Sequence, residues 1–278
     1  VHGHGTTSAT DEAAFLILEA LHLPVDDINP WLDARLLDAE KHRLANLIRT
    51  RIDTRLPAAY LVKRAYIHGM PFFVDERVIV PRSYIGELMF SGIFGGDEAP
   101  LIENVANVTS VLDLCTGSGC LAIIAAGIFP DAEVDAADLS AAALEVARIN
   151  VDEHDVADRV NLLEGDLFEA VEGRTYDLII SNPPYIPAGE IAGLSPDVRN
   201  FDPALALSGG SDGLDPYRII ASGAAAHLGE GGHVLVEIGA GQADDVEAIF
   251  VARGFTAGGR HRDLGGHTRC LGFNRAQK

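Results

Sequence analysis

From Ser110 onward, short apolar runs alternate with helix-length segments, and no other feature constrains the fold as much. "SVLDLC", "AEVDAADLS", "VNLLEGD", "YDLIISN" and "GHVLVEIG" are strand-length runs. Between or after them stand "CLAIIAAGIF", "AAALEVARINVDEH", "PYRIIASGAAAHL" and "QADDVEAIFVARG", each long enough for a helix. The closing runs "FTAGGRHRD" and "HTRCLGFNR" supply two more strands. Strands with near-continuous apolar character, separated by helices, are buried on both faces of a parallel sheet. The expectation is an α/β, doubly wound, seven-stranded and mostly parallel sheet over 106–278.

The first part of the chain has a different period. "DEAAFLILEALHLP" reads as a helix with Asp11 as its cap, stopping before Pro24. "DARLLDAEKHRLANLIRTRID" reads as a second, with Leu36, Leu37, Leu44, Leu47 and Ile48 on one core-facing stripe. About 57–82, the turn signal Gly69-Met70-Pro71 separates two β-like runs and predicts a hairpin. A helix and the connector "GIFGGDEAP" fill 83–107. We read 1–105 as a small helical domain with a β-hairpin linker, and 106–278 as the α/β domain.

Three segments carry chemistry. In "VLDLCTGSGC" a strand ends near Asp113, and Cys115, Thr116, Gly117, Ser118 and Gly119 form a Gly-rich turn into a helix. Gly117 and Gly119 let backbone N–H groups approach a ligand at the carboxyl edge of the sheet. No GK[ST] follows, so the turn is not a phosphate P-loop. Ala122 can serve as the third small residue of a dinucleotide fingerprint, so the glycines alone leave NAD open. Asp138 lies 19 residues after Gly119 at the end of the next strand, where a carboxylate can accept both ribose hydroxyls. Asp135, inside that strand, is the other candidate. Asp166 and Leu167 in "EGDLF" offer an acceptor for an adenine amino group and an apolar contact for the base. A helix-capping role fits Asp166 almost as well.

The fourth strand discriminates further. It ends in Ser181-Asn182-Pro183-Pro184-Tyr185. Asn182 carries an acceptor oxygen and two N–H donors. The prolines hold the chain extended and remove two backbone donors, which leaves carbonyls facing outward. With the Asn182 oxygen they make a fixed pair of acceptors, and Tyr185 adds a flat apolar face. That arrangement suits a planar –NH2 group.

Bulk properties narrow the setting. Cys115, Cys120 and Cys270 form no disulfide framework or CxxC pair, which points to a reducing, cytoplasmic compartment. His2 and His4 belong to a flexible polar start with no signal-peptide pattern. Val1 in place of a start methionine suggests that residues precede it. No apolar run is long enough for a bilayer, and no metal-ligand cluster stands out. A formal net charge of −20 disfavours nucleic acid and favours basic partners.

"DLCTGSG", Asp138, Asp166 and "NPPY", in this order, resemble the class I S-adenosylmethionine-dependent methyltransferases, which share a Rossmann-like fold. Two branches carry NPPY. One methylates exocyclic amines of adenine in nucleic acid, and the other methylates glutamine amides of proteins. "FFVDERVIVPRSYIGELM" is similar to the hairpin and helix of the protein-glutamine N5-methyltransferases. "GHGTTSATDEA", "RLPAAYL", "LCTGSGC" and "FPDAEVDAADLS" most resemble the branch acting on a large-subunit ribosomal protein. The sister branch, acting on release factors, more often has Gly at the position of Cys115 and "IPRPxTE" where this chain has "VPRSYIGE". "HRDLGGHTRCLGF" looks more like that sister branch.

The resemblance implies S-adenosyl-L-methionine as cofactor and S-adenosyl-L-homocysteine as product. It implies a catalytic set of Asn182, Pro183, Pro184 and Tyr185. It implies a cofactor set of Asp113, Cys115, Thr116, Gly117, Ser118, Gly119, Asp138, Asp166, Leu167 and Asn182. The partner is then a basic ribosomal protein or a release factor, with no sequence-specific nucleic acid and no membrane, and the enzyme a monomer. A non-catalytic nucleotide-binding module is the reading from another class, and it would have no use for Asn182 or the proline pair.

Overall fold

A computed structural model describes residues 8–95, 101–263 and 265–275. His2 and His4 lie outside the described residues, as does part of the connector after Phe94. The chain opens with helices α1 (Ala9–Ala20), α2 (Asp38–Thr54) and α3 (Ala58–Val62), the short strands β1 (Ala65–Ile67) and β2 (Met70–Phe72), and helix α4 (Tyr84–Met89). Then β3 (Ser110–Leu114), α5 (Cys120–Ile128), β4 (Glu133–Asp138), α6 (Ala141–Glu153), β5 (Val160–Glu164) and β6 (Tyr176–Ser181) alternate. The short helices α7 (Pro196–Arg199) and α8 (Ala204–Leu207) precede α9 (Asp215–His227). β7 (Leu228–Glu237), α10 (Ala243–Val251), β8 (Phe255–Arg262) and β9 (Thr268–Arg275) complete the described chain.

The large sheet has seven strands in the order β5-β4-β3-β6-β7-β9-β8. β9 runs antiparallel to both of its neighbours, and the other pairings are parallel. This is the architecture expected from the alternation. Side chains alternate between faces: Val111, Leu178 and Ile180 pack toward α5, whereas Leu112, Leu114 and Ile179 pack toward α9 and α10. Strand order reverses between β3 and β6, so the carboxyl ends of β4, β3 and β6 open a crevice at that switch point. Among the described residues no helix is long and apolar enough to cross a membrane.

The N-terminal part departs from the expectations in detail. Ser8, not Asp11, caps α1, its Oγ accepting from the Asp11 N–H at 3.1 Å. The proposed stripe on α2 is wrong. Leu36 and Leu37 precede the helix, Leu37 and Ile48 are exposed, and Leu44 is the stripe residue that is buried. The inward face instead carries Leu44 and Arg51, two turns apart, because Arg51 has buried carboxylates to meet. The hairpin is shorter than 57–82. Ile67 pairs with Met70, so His68 and Gly69 form the turn, both with positive φ (47° and 76°). That is the geometry that two-residue hairpin loops favour. Residues 58–62 are helical, and α4 ends at Met89, just before the connector that begins at Gly92, as expected.

Candidate active site

The register of the sheet brings the predicted motifs together. Leu114 lies opposite Ala137 on one side and Ser181 on the other. The segments that follow, Cys115–Gly119, Asp138–Ser140 and Asn182–Tyr185, therefore leave the sheet edge side by side. They border a cavity of about 470 Å³. Of the predicted residues, Cys115, Gly117, Asp138, Asp166, Leu167, Asn182 and Pro184 line it. Asp113, Thr116, Ser118, Gly119, Pro183 and Tyr185 do not.

The residues behind the wall hold the turn. Asp113 is fully buried, accepting from Thr116 Oγ1 at 2.5 Å and from the Ala122 N–H at 3.2 Å. Its Oδ1 has no partner among the described residues. Asn150 on α6 donates to the Ser118 and Phe73 carbonyls at 2.8 and 3.0 Å, which ties the turn to the end of the hairpin. Gly117 (φ +56°) lines the cavity and has open space where a Cβ would stand. Gly119 (φ +80°) would place a Cβ 3.2 Å from that of Ala147, so its glycine serves helix packing. Two non-glycine cavity residues, Cys115 (φ 61°) and Leu167 (φ 49°), are also left-handed. Such backbone strain concentrates at working sites.

The carboxylates separate by environment. Asp138 accepts from the Gly117 and Ser140 N–H groups, both at 2.9 Å, and burial raises its pKa against those donors. Asp135 is spoken for: Arg174 Nη1 and Tyr176 OH each donate to it at 2.6 Å, and Asn161 Nδ2 at 3.1 Å. It does not reach the cavity. Asp166 is exposed and its side chain makes no cap hydrogen bond.

The corner after β6 is rigid. Ser181 Oγ donates to the Leu114 carbonyl at 2.8 Å, Pro183 is buried, and Tyr185 packs against the α9 side of the core. Gln242 Nε2 donates to the Tyr185 carbonyl at 2.9 Å. Among the described residues, neither the Asn182 side chain nor the Pro183 carbonyl makes a hydrogen bond. A held backbone thus presents the free Asn182 side-chain amide at the cavity, with the unpaired Pro183 carbonyl next to it in the chain.

Sequence reading missed a large part of the wall. Arg77, Val78 and Ile79 come from the segment after the hairpin, and Pro203, Leu205 and Ala206 from the connection between β6 and α9. Arg77 is fixed by Asp75 and by Glu145 on α6 (Nη1 to Oε2, 2.8 Å). The second group is followed by "SGGSDG", whose glycines the NPPY corner requires. A Cβ on Gly209 would stand 2.8 Å from the Pro184 and Gly213 carbonyl oxygens. One on Gly213 (φ +79°) would overlap the Tyr185 carbonyl oxygen. Gly213→Ala is expected to cost about 2 kcal/mol in urea unfolding and to lower turnover with it, since the strained φ and the overlap both move the corner.

Buried carboxyls make stability depend on pH. Burial pushes Asp113 up to about 7 from 3.8, and Glu237, at the end of β7, up to about 7 from 4.5. Glu237 accepts from Ser83 Oγ at 2.6 Å and the Tyr84 N–H at 2.8 Å, docking the start of α4. A carboxyl with a raised folded pKa stabilises fully below its unfolded value, and loses that contribution as pH rises through the folded value. Asp113→Asn should therefore flatten the fall in Tm between about pH 4 and pH 8. An unchanged slope in calorimetry would remove Asp113 from the linkage.

Comparison with known proteins places this geometry. The methyltransferase small domain family model matches residues 97–193, which include the Gly-rich turn, Asp138, Asp166 and the NPPY corner. A ribosomal protein uL3 glutamine methyltransferase of Bradyrhizobium diazoefficiens is 54% identical over 240 residues, 86% of this chain and 75% of the relative. Its counterpart in Neisseria meningitidis serogroup A is 50% identical over 254 residues, covering 91% and 81%. Among solved structures, a methyltransferase from Pyrococcus furiosus matches 85% of this chain and 100% of its own with a TM-score of 0.55 and 16% identity, a likeness of fold alone. Identity at that level over most of both sequences settles the family: the chain belongs to the ribosomal protein uL3 glutamine methyltransferases.

Proposed function

We propose that the chain methylates the side-chain nitrogen of a glutamine in ribosomal protein uL3, with S-adenosyl-L-methionine as donor. The unpaired Asn182 side chain at the cavity, with the unpaired Pro183 carbonyl beside it in the chain, carries the reading. A nucleotide-binding module has no need of such a pair, and an amide –NH2 needs two acceptors. The relatives favour uL3 over release factors, despite the look of the C-terminal "HRDLGGHTRCLGF". The −20 charge disfavours an adenine in nucleic acid and suits a basic ribosomal protein.

The residues present fit the donor. The cavity lies within the usual range for small-molecule sites. Gly117 lines the cavity with open space where a Cβ would stand, and Asp138 keeps unused lone pairs for ribose hydroxyls. Asp166 is free to accept from an amino group, and Leu167 and Leu139 give apolar contacts. Asp113, Thr116, Ser118 and Gly119 act from behind by shaping the turn.

When bound, the sulfonium supplies a methyl carbon that is already electrophilic. The protein's task is to place a weak nucleophile, because the glutamine nitrogen shares its lone pair with its carbonyl. The Asn182 oxygen and the Pro183 carbonyl hold the two N–H groups and turn the lone pair toward the donor. As nitrogen gains positive charge its hydrogens become more acidic and both acceptors bind them more strongly; the sulfur keeps the electron pair of its broken bond to the methyl carbon, and one amide proton leaves to water to give the neutral N-methyl amide. Pro184 and Tyr185 keep those acceptors from moving. Residues 1–105 read the partner, with Arg77, Val78 and Ile79 also closing the cofactor cavity that 106–278 otherwise supplies, in a cytoplasmic monomer.

Purified protein, donor and uL3 test this. A gain of one methylene in mass on a single uL3 glutamine is expected. Methylation of a release factor alone, or of adenine, would sink it.

A further inference from the structure

The connection between β6 and α9 travels out from the sheet to the N-terminal helices and back. Near the sheet its two ends are stitched together. The Ile186 N–H donates to the Leu207 carbonyl at 3.0 Å, Gly209 to Ile186 at 2.9 Å, and Ala188 to Gly210 at 2.8 Å. The returning strand of this connection lines the cavity while its partner carries the NPPY corner.

At the outer tip the hold is ionic. Asp197 is 2% exposed and accepts from Arg51 Nη2 at 3.1 Å and Arg55 Nε at 2.9 Å. Arg51 is held in turn by Glu12 on α1, Nε to Oε1 at 2.9 Å and Nη2 to Oε2 at 3.2 Å. Five residues on, Tyr60 OH lies 2.7 Å from Asp202 Oδ1 and 2.6 Å from the Val78 carbonyl. Val78 and Pro203, the residue after Asp202, both line the cofactor cavity.

Two physical points give this arrangement meaning. α7 and α8 have four residues each, too short to hold a conformation alone. Their shape is imposed by what grips them. A buried ion cluster is also a poor source of stability compared with apolar packing, and its best use is to fix one arrangement.

We propose that Asp197 is a positioning residue that makes part of the cofactor-cavity wall an extension of helices α1 and α2. Protein substrate settling on those helices and cofactor entering the cavity then bind with positive coupling. The inference rests on the methyltransferase reading of the cavity. It goes beyond it by assigning a mechanical link, Glu12–Arg51–Asp197, between the partner-reading helices and the cofactor wall. Because coupling between binding sites is reciprocal, each ligand tightens the other by the same factor.

Calorimetric titration of S-adenosyl-L-homocysteine, with and without saturating uL3, tests the link. In the wild type, uL3 should tighten product binding about fivefold or more. In Asp197→Asn that factor should fall toward one, while uL3-free affinity changes far less. Tyr60→Phe keeps the ring, removes the second clasp, and should also reduce the factor if Asp197→Asn fails to fold. A wild-type factor of one, or full coupling in a folded variant, would overturn the proposal. Wild type that binds no S-adenosyl-L-homocysteine at all would instead overturn the cofactor reading beneath it.

Discussion

Asn182→Ala is expected to lower kcat by about two to three orders of magnitude, the scale for losing one group that binds charge developing in the transition state. The reason lies in what Asn182 does not touch. Among the described residues its side chain makes no hydrogen bond, so its removal leaves the fold intact. The corner around it stays pinned through Ser181 Oγ on the Leu114 carbonyl and Gln242 on the Tyr185 carbonyl. The variant loses one of the two acceptors for the amide and little else. S-adenosyl-L-homocysteine affinity should stay within about threefold of wild type, under 1 kcal/mol. Single-turnover rates and calorimetry on one preparation separate the two effects. Intact turnover with lost cofactor binding would reverse the assignment and make Asn182 a cofactor residue alone.

Asp138→Ala should produce the opposite split, weakening cofactor binding about 10- to 100-fold, as expected for removing hydrogen bonds to a charged group. Two losses combine. The carboxylate no longer accepts from ribose, and the Gly117 and Ser140 N–H groups lose the acceptor that shapes the turn. Asp138→Asn keeps an acceptor for one of them and should fall between wild type and Asp138→Ala. Titration with S-adenosyl-L-homocysteine reads this directly. Unchanged affinity would move the ribose contact to Asp166, because Asp135 is consumed by Arg174, Tyr176 and Asn161.

The sheet and the order of the site motifs were legible because each strand is a local apolar run, and each motif lies at a strand's carboxyl end. Register then does the rest: parallel strands in phase deliver Cys115, Asp138 and Asn182 to one edge. That Asp138 rather than Asp135 reaches the crevice was legible for the same reason, since only the end of the strand faces it. The α2 stripe was misread because periodicity cannot say which partner waits on which face. Arg51 turns inward for Asp197, which lies 146 residues later. The wall contributed by Val78, Pro203 and Leu205 was invisible for the same cause. Nothing local marks an apolar residue as lining a cavity when the other wall is a distant loop.

That separation has a kinetic consequence. The sheet forms from neighbouring βα units, but the clasp at Asp197 closes only when segments 146 residues apart have met. Contacts so distant in sequence are slow to form. The cofactor wall should therefore be the last part of the enzyme to mature during refolding, with product binding lagging behind recovery of secondary structure.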